Sequence, residues 1–225
     1  MLSIIIPTLN AEATLAATLR SILAPAVPGL DVVVVDAGSH DDTCRIAEEH
    51  EARVLTSTPG RGRQLACGAN AATSEWLLFL HADTRLPQGW PDDISRFITA
   101  DANRQRAAYF RLSFDDTSQA AQRIAALANW RAKALGLPYG DQGLLIHRSL
   151  YDETGGFDER LNLMEDVELA RRIGPMRLKR LPATVITSAV KYRTNGWWRR
   201  PFKNLLCLGL YLTGAPMKWI ERLYR

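Results

Sequence analysis

The first hundred residues alternate between short apolar runs and segments with helical periodicity. Buried β-strands are predicted at four runs rich in Val, Ile and Leu, namely 2–6, 31–35, 53–56 and 76–80. The segments between them place apolar residues such as Leu15, Leu19 and Ile22 at helical spacing, and Asn10 is predicted to N-cap the first helix. Continuous apolar strands joined by helices are typical of a parallel sheet covered on both faces. The pattern therefore predicts an α/β fold with a mostly parallel central sheet flanked by helices.

The second half of the chain is less regular. Strands are predicted at 107–114 and 144–147, helices at 118–135 and 165–173, and a weakly alternating segment at 185–193. No Pro- or Ser-rich linker and no internal repeat separates the halves. We therefore predict one domain over residues 1–190, with halves 1–100 and 101–190, followed by a distinct segment 191–225.

Polar residues gather where the predicted strands end. Thr8 and Asn10 follow the first strand, Asp36 the second, and Asp83 the fourth. In open α/β sheets, ligands bind outside the carboxyl ends of the strands, so one crevice is expected to collect these side chains.

The glycine-punctuated stretch Gly60-Arg61-Gly62-Arg63 precedes a predicted helix at 65–72. Backbone N–H groups and guanidinium groups at a helix start suit a phosphate, although an ordinary solvent loop explains them equally well. The stretch is neither a Walker A loop nor a dinucleotide-binding fingerprint.

Two acidic motifs are candidates for chemistry. Asp83, in His81-Ala82-Asp83, could hold a divalent cation that also takes oxygens from a diphosphate; the alternative is a solvated carboxylate capping a turn. Glu165 and Asp166 open a predicted helix, where a general base and a favourable interaction with the helix dipole are both reasonable interpretations.

The amino-acid composition excludes several classes of protein. With 47 % hydrophobic and 23 % charged residues among 225, the chain is globular and not disordered. Its three cysteines are widely spaced, which excludes a disulfide scaffold or a zinc finger and favours a reducing compartment. The first ten residues lack a basic n-region and are interpreted as a strand, not as a secretory signal.

The positive charge is concentrated in residues 191–225. Eight basic residues against the single acid Glu221 give this segment a charge of +7, so the remaining 190 residues carry −3. Aromatic residues are interleaved with these cations, among them Trp197, Trp198, Phe202, Tyr211, Trp219 and Tyr224. The leucine-rich run 205–212 is shorter than the ~20 residues that a spanning helix needs. We predict docking on an anionic membrane surface without crossing it. The alternative is that the leucines close the core and the cations are solvated; nucleic-acid binding is not expected.

Five motifs in order over residues 2–175 resemble family 2 glycosyltransferases, which have the nucleotide-diphospho-sugar transferase (GT-A) fold. They are SIIIPTLN at 3–10, VDAGS at 35–39, LFLHADT at 78–84, GGFD at 155–158 and EDVEL at 165–169. The GRGR, HADT and GDQG stretches further resemble the radical-SAM/selenodomain-associated transferase 2 subgroup. The resemblance makes 1–100 the nucleotide-sugar-binding half and 101–190 the acceptor-side half.

The resemblance also implies roles for individual residues. The nucleotide base is expected at Pro7, Thr8, Asn10, Glu12 and Asp36. Further substrate contacts are expected from Gly38, Ser39, Arg61, Arg63, His81, Gly140, Asp141, Gln142 and Arg193. His81 stands where the family has the first carboxylate of D-x-D, so a divalent cation, Mg²⁺ or Mn²⁺, would rest on Asp83. Asp166, with Glu165 beside it, would supply the catalytic base.

The implied reaction is an inverting transfer of a sugar from a nucleoside-diphosphate sugar, with UDP preferred over GDP, to an acceptor hydroxyl that could be lipid-linked. The processive Q-x-x-R-W signature is absent, so a single transfer is expected. The alternatives are a nucleotidyltransferase of the same fold and a non-catalytic membrane-surface binder. The enzyme is expected in the cytoplasm, where it could be peripheral on the inner face of the cell membrane.

Overall fold

The computed structural model describes residues 1–224, apart from the side chain of Asn195. Within this range the strands are β1 Leu2–Thr8, β2 Leu30–Asp36, β3 Arg53–Thr56, β4 Trp76–Phe79, β5 Thr84–Arg85, β6 Ala107–Phe114, β7 Leu144–His147 and β8 Leu178–Thr187. They form one sheet in the order β3-β2-β1-β4-β7-β6-β8-β5. The helices are α1 Glu12–Leu23, α2 Thr43–Glu49, α3 Arg61–Ala71, α4 Trp90–Ile98, α5 Gln119–Leu135, α6 Arg148–Glu153, α7 Glu165–Ile173, α8 Val190–Asn195, α9 Arg199–Leu212 and α10 Met217–Tyr224.

The first half of the sheet is parallel and buried on both faces. β1 pairs in parallel with β2 and β4, and β2 with β3. Ile4 and Val34 face the cluster that contains α1, whereas Ile5 and Val33 face the cluster that contains α3. Every residue of β1 is buried because helices cover both of its faces. The α/β prediction is confirmed for this half.

The second half of the sheet is mixed. β7 is antiparallel to both β4 and β6, and β8 is parallel to β6 and antiparallel to β5. Four of the seven pairings in the described chain are parallel, so the sheet is mostly parallel as predicted.

Two local predictions are corrected by the structure. The weakly alternating segment 185–193 is not one element, because β8 ends at Thr187 and α8 begins at Val190. Asn10 does not N-cap α1; Ala11 takes that position without a side-chain cap. Asn10 instead adopts a positive φ of 49°, and its side-chain oxygen accepts a hydrogen bond from His40 N at 3.0 Å. It therefore joins two loops.

The C-terminal helices pack on the domain. Cys207 and Leu208 of α9 and Ile220 of α10 are buried against Met164 and Val167 at the start of α7. Part of the segment 191–225 thus closes a core, as the alternative interpretation expected. Among the described residues, no helix is both long enough and apolar enough to span a bilayer.

Candidate active site

A cavity of about 920 Å³ opens where β1 and β4 end. Six of the predicted site residues line it: Pro7, Thr8, Asn10, Arg61, His81 and Asp83. The turn after β1, the start of α3 and the loop between β4 and β5 bring them together. The crevice expected at the carboxyl ends of the strands is therefore present.

Asp36 organises the turns after β1 and β2 from just outside this cavity. Its carboxylate accepts hydrogen bonds from Thr8 Oγ1 at 2.9 Å, from the backbone N–H groups of Gly38 and Ser39 at 2.9 and 2.7 Å, and from Ser39 Oγ at 2.6 Å. Burial raises the pKa of Asp36, but the hydrogen bonds from Ser39, Thr8 and Gly38 outweigh it and hold the pKa below its usual value. Asp36 is thus a fixed anion that shapes the cavity wall.

Glu12 links the same two turns. Its side chain accepts from Asp42 N at 3.1 Å, and its own N–H donates to Asp41 Oδ2 at 3.1 Å. The Asn10 N–H donates to Ser39 Oγ at 2.8 Å. Glu12, Gly38 and Ser39 do not line the cavity, and of the three it is Ser39 that holds the lining residue Asn10 directly.

His81 and Asp83 present a neutral imidazole and a carboxylate to the cavity. Burial lowers the pKa of His81 to about 3, with Arg61 and Lys191 adding to the decrease and Asp83 opposing it. Burial raises the pKa of Asp83, but the charge of Lys191 above all keeps it below its usual value. Asp83 Oδ2 accepts a hydrogen bond from Lys191 Nζ at 3.1 Å.

This donor set suits a cation shared with a substrate diphosphate. Mg²⁺ usually takes one or two carboxylates from the protein and completes its shell with phosphate oxygens and water. Asp83 supplies one carboxylate, and neutral His81 keeps a nitrogen lone pair for a metal or a hydroxyl. Among the described residues, no group of three or more His, Cys, Asp or Glu side chains is placed to hold a metal alone. The residues fit a cation that binds together with a diphosphate.

Arg61 is placed between the cavity and a buried carboxylate. Its Nη1 lies 3.7 Å from Oε1 of Glu165, whose side chain is 1 % exposed. Neither carboxylate oxygen of Glu165 has a hydrogen-bond partner among the described residues. Burial raises the pKa of Glu165 to about 7; Arg61 opposes the rise and Asp166 adds to it. Arg63, in contrast, donates to Thr58 Oγ1 at 2.9 Å and does not line the cavity.

A smaller cavity shares His81 with the larger one and is lined also by Gly140, Glu165 and Asp166. Asp166 Oδ2 accepts a hydrogen bond from Gly140 N at 2.7 Å. Gly140 lies so close to the His81 ring that a Cβ atom there would overlap the ring. The structure thus brings together the HAD, GDQG and ED motifs.

The next two residues of the GDQG turn differ in role. Burial raises the pKa of Asp141 to about 6. The positive charge of Arg131 opposes this rise, and the negative charges of Asp166 and Asp83 add to it. Gln142 is fully buried, and its amide donates to Phe110 O at 3.2 Å. Neither residue lines either cavity. Gln142 supports the turn that carries Gly140.

Arg193 does not reach the cavity either. Its guanidinium donates to Asp116 Oδ2 at 2.9 Å and to Asp115 O at 2.8 Å, which fixes α8 to the end of β6. Lys191, on the same short helix, lines the cavity and pairs with Asp83.

Three further side chains line the cavity although no sequence motif indicates them: Gln64, Lys191 and Tyr224. Gln64 Nε2 donates to Thr8 O and to Val35 O, at 2.8 Å each, and so joins β1 to β2. Lys191 was counted only as part of the basic segment, and Tyr224 only as one of its aromatic residues. Both reach the cavity because the chain returns after β8, and no local motif indicates that path.

The mostly parallel sheet, flanked by helices and with a cavity where its strands end, confirms the predicted nucleotide-diphospho-sugar transferase (GT-A) fold. Residues 3–125, more than half of the chain, match the family model "Glycosyl transferase family 2", and the chain belongs to this family.

Curated relatives match over shorter stretches. The chain is 41 % identical over 93 residues to the PGL/p-HBAD biosynthesis glycosyltransferase of Mycobacterium tuberculosis, which covers 38 % of this chain and 36 % of the relative. An uncharacterized glycosyltransferase of the same species is 35 % identical over 88 residues, covering 39 % and 38 %. The matches thus span little more than a third of these relatives' length.

Solved structures match over most of the chain. The mannosyltransferase PcManGT from Pyrobaculum calidifontis, in complex with GDP-Man and Mn²⁺, has a TM-score of 0.67 and 20 % identity, covering 99 % of this chain and 68 % of that one. S. aureus TarS 1-349, in complex with UDP-GlcNAc, has a TM-score of 0.61 and 20 % identity, covering 83 % and 58 %. At this identity the likeness concerns the fold.

Proposed function

We propose that this chain transfers a sugar from a nucleoside-diphosphate sugar, with UDP preferred, to an acceptor hydroxyl, in a single inverting step. The observation that carries the proposal is the convergence of Thr8, Arg61, His81 and Asp83 on one cavity, with Asp166 in the cavity directly behind His81. Binding of UDP-GlcNAc by TarS and of GDP-Man by PcManGT, which share the fold, supports a nucleotide-sugar donor.

The donor is proposed to lie along the carboxyl ends of β1 and β4. The turn with Pro7, Thr8 and Asn10, held by Asp36, would contact the nucleotide base. The neutral His81 ring would bond a ribose hydroxyl.

The diphosphate is proposed to lie among Asp83, Arg61 and Lys191. A divalent cation, when bound, would stabilise the negative charge of the departing nucleoside diphosphate. Asp83 would hold this cation in exchange for its bond to Lys191. Arg61 and the released Lys191 would then balance phosphate charge directly.

Asp166 is proposed to act as the general base that activates the acceptor hydroxyl. Its carboxylate would take the proton of the acceptor hydroxyl as the oxygen attacks the anomeric carbon from the face opposite the diphosphate. The new carbon–oxygen bond forms while the bond to the diphosphate breaks, and the leaving group keeps the electron pair. General-base assistance of this kind supplies about 10²–10⁴-fold. The hydrogen bond from Gly140 N fixes the orientation of the carboxylate.

We further propose a lipid-linked acceptor and a cytoplasmic enzyme peripheral to the inner face of the cell membrane. The basic, aromatic segment 191–225 supports this location. The GRGR, HADT and GDQG stretches, which converge near His81, support the radical-SAM/selenodomain-associated transferase 2 subgroup.

Thermal unfolding with a panel of UDP- and GDP-sugars, with and without Mn²⁺, tests the donor. A ligand at 100 times its Kd adds about 2.7 kcal/mol, which for a chain of this size raises Tm by about 5–10 °C. We expect the largest shift from a UDP-sugar with Mn²⁺, and loss of the Mn²⁺-dependent part in Asp83→Asn. The absence of any shift across the panel would overturn the proposed function. The anomeric configuration of the product, read by NMR, tests inversion.

A further inference from the structure

The hairpin formed by α9 and α10 is apolar on two opposite sides. Its inner side, with Cys207, Leu208 and Ile220, is buried against the start of α7. This contact accounts for one apolar side of α9. Nothing in the described part of the chain covers the apolar side chains on the opposite side of α9.

The outer side of the hairpin exposes large apolar side chains. On and just before α9 these are Trp198, Phe202, Leu205, Leu206 and Leu212, and on α10 Trp219; each is between 43 and 69 % exposed. We call these six residues the outer hairpin face. Trp198, Phe202 and Leu205 follow helical spacing and lie on the side of α9 away from Cys207, and Leu206 and Leu212 flank them. Six large apolar side chains exposed on one hairpin indicate a binding surface.

Basic residues accompany this face. Arg199, Lys218 and Arg222 are exposed on the same two helices. The single acidic residue of 191–225, Glu221, accepts a hydrogen bond from Asn162 at 2.9 Å and lines the cavity. The outer hairpin face therefore combines apolar side chains with uncompensated positive charge.

The combination of apolar side chains and positive charge shows which kind of partner fits the outer hairpin face best. A second copy of the chain would bring two such basic surfaces together, and the like charges would repel. A neutral apolar partner would cover the apolar side chains but would offer no counter-charge to the cations. An anionic bilayer surface satisfies both features, because aromatic rings partition into the interface and Lys and Arg are attracted to anionic lipids.

We propose that the outer hairpin face docks the protein on an anionic membrane surface, with its aromatic and leucine side chains in the interfacial layer. The same hairpin lines the catalytic cavity through Tyr224 and Glu221. Docking would therefore place the cavity beside the bilayer, where a lipid-linked acceptor can enter. The docking assigns residues to the membrane location proposed above and rests on that part of the proposed function, whereas the transfer reaction does not depend on the docking.

Flotation of the full chain with two kinds of vesicle tests the docking. At low salt we expect the protein to float with phosphatidylglycerol–phosphatidylcholine vesicles and much less with phosphatidylcholine alone. The double variant Phe202→Ser/Leu205→Ser should bind about tenfold or more weakly, since two interfacial side chains are lost. The double variant Arg199→Gln/Lys218→Gln should lose a similar factor on anionic vesicles only.

A matched control is available on α5. Leu127 and Trp130 are 57 and 59 % exposed but lie outside the hairpin. Leu127→Ser/Trp130→Ser should float like the parent protein, and all variants should keep the parent's unfolding midpoint because the changed side chains are exposed. Equal absence from both vesicles at low salt, or equal loss in the α5 control, would overturn the docking. A dimer broken by the hairpin variants, without vesicle binding, would assign the face to a second copy. A donor-induced thermal shift retained in any of these cases would leave the proposed transferase function standing.

Discussion

Asp36 shows how one buried carboxylate can fix the shape of a binding site that it does not line. Asp36→Ala would leave the N–H groups of Gly38 and Ser39 without their acceptor, at a cost of about 1–3 kcal/mol in unfolding free energy. Because Thr8 would also lose its partner, donor binding should weaken with and without Mn²⁺. Urea unfolding and calorimetric titration with UDP measure the two effects. Asp42→Ala, which changes an exposed carboxylate paired with Arg45, is the control and should leave both unchanged.

The base proposed for the reaction can be tested with a near-isosteric change. In Asp166→Asn the side-chain oxygen can still accept from Gly140 N, while the bond that Asp166 Oδ1 accepts from Val167 N is lost, so the fold should persist with a small loss of stability and the donor affinity should be kept. The rate of transfer should fall by about 10²–10⁴-fold, because the amide cannot take a proton. Glu168→Gln, on the same helix and bonded to Arg172, should keep nearly full activity. Parent-like turnover of Asp166→Asn would move the role to Glu165 or to Asp141.

Glu165 gives the protein a pH dependence of stability. An unfolded glutamate titrates near 4.5, whereas burial raises the pKa of the folded carboxyl to about 7. Between these values the folded state binds more protons than the unfolded state, so the free energy of unfolding falls as pH rises. Glu165→Gln should remove this decrease, on the order of 1–3 kcal/mol between pH 5 and pH 8. Urea unfolding at both pH values tests it, and an unchanged slope would assign the dependence to other groups.

At the scale of elements, Gly62 lets α3 approach the loop before α7. Its N–H donates to Leu161 O at 3.1 Å, and a Cβ there would lie 2.7 Å from that oxygen and even closer to Asp158 O. Gly62→Ala should therefore cost about 1–3 kcal/mol through overpacking. It should also weaken donor binding, because Arg61 would shift with α3. Gly209→Ala in α9, where a Cβ meets nothing within 4 Å, should be neutral or slightly stabilising. Equal midpoints for both variants in urea would contradict this packing argument.

How far the elements can be predicted depends on their surroundings. Strands buried on both faces, such as β1 and β2, are built around continuous apolar runs (4–6 and 32–35), and the pattern located them within two residues. β8 was predicted only in its last part because Lys179, Arg180 and Pro182 interrupt the apolar pattern. Those residues are tolerated because β5 pairs with β8 at only two positions, so that edge is mostly open.

Whether a site residue can be predicted from the sequence likewise depends on its surroundings. The turns directly after β1 and β4 are local to their strands, so Thr8, His81 and Asp83 could be placed at one edge from the pattern alone. Lys191 reaches Asp83 from 108 positions along the chain, through the register of β8 against β6. Contacts of that kind depend on tertiary path and not on local spacing. The roles of the predicted site residues remain predictions.

At the scale of the whole molecule, the cavity is assembled from nearly the entire chain. Its lining runs from Pro7 in β1 to Tyr224 in α10, and it includes Asp83 from the loop before β5 and Lys191 from α8. Ligand binding should therefore link the N-terminal turn to the C-terminal hairpin, although these segments are joined to different core clusters. A donor that fills the cavity stabilises every segment that touches it.

Hydrogen exchange measures this linkage. With UDP and Mn²⁺ at 100 times the Kd, amides of Met217–Tyr224 should exchange more slowly, by up to about 100-fold, together with those around Asn10. The reason is that Glu221 and Tyr224 line the same cavity as Thr8 and Asp83, so local opening of α10 must release the ligand. Amides of α4, none of which line the cavity, should slow less than those of α10. Protection around Asn10 with unchanged exchange in α10 would mean that the hairpin is not part of the ligand site, and that its contact with the cavity does not couple to binding.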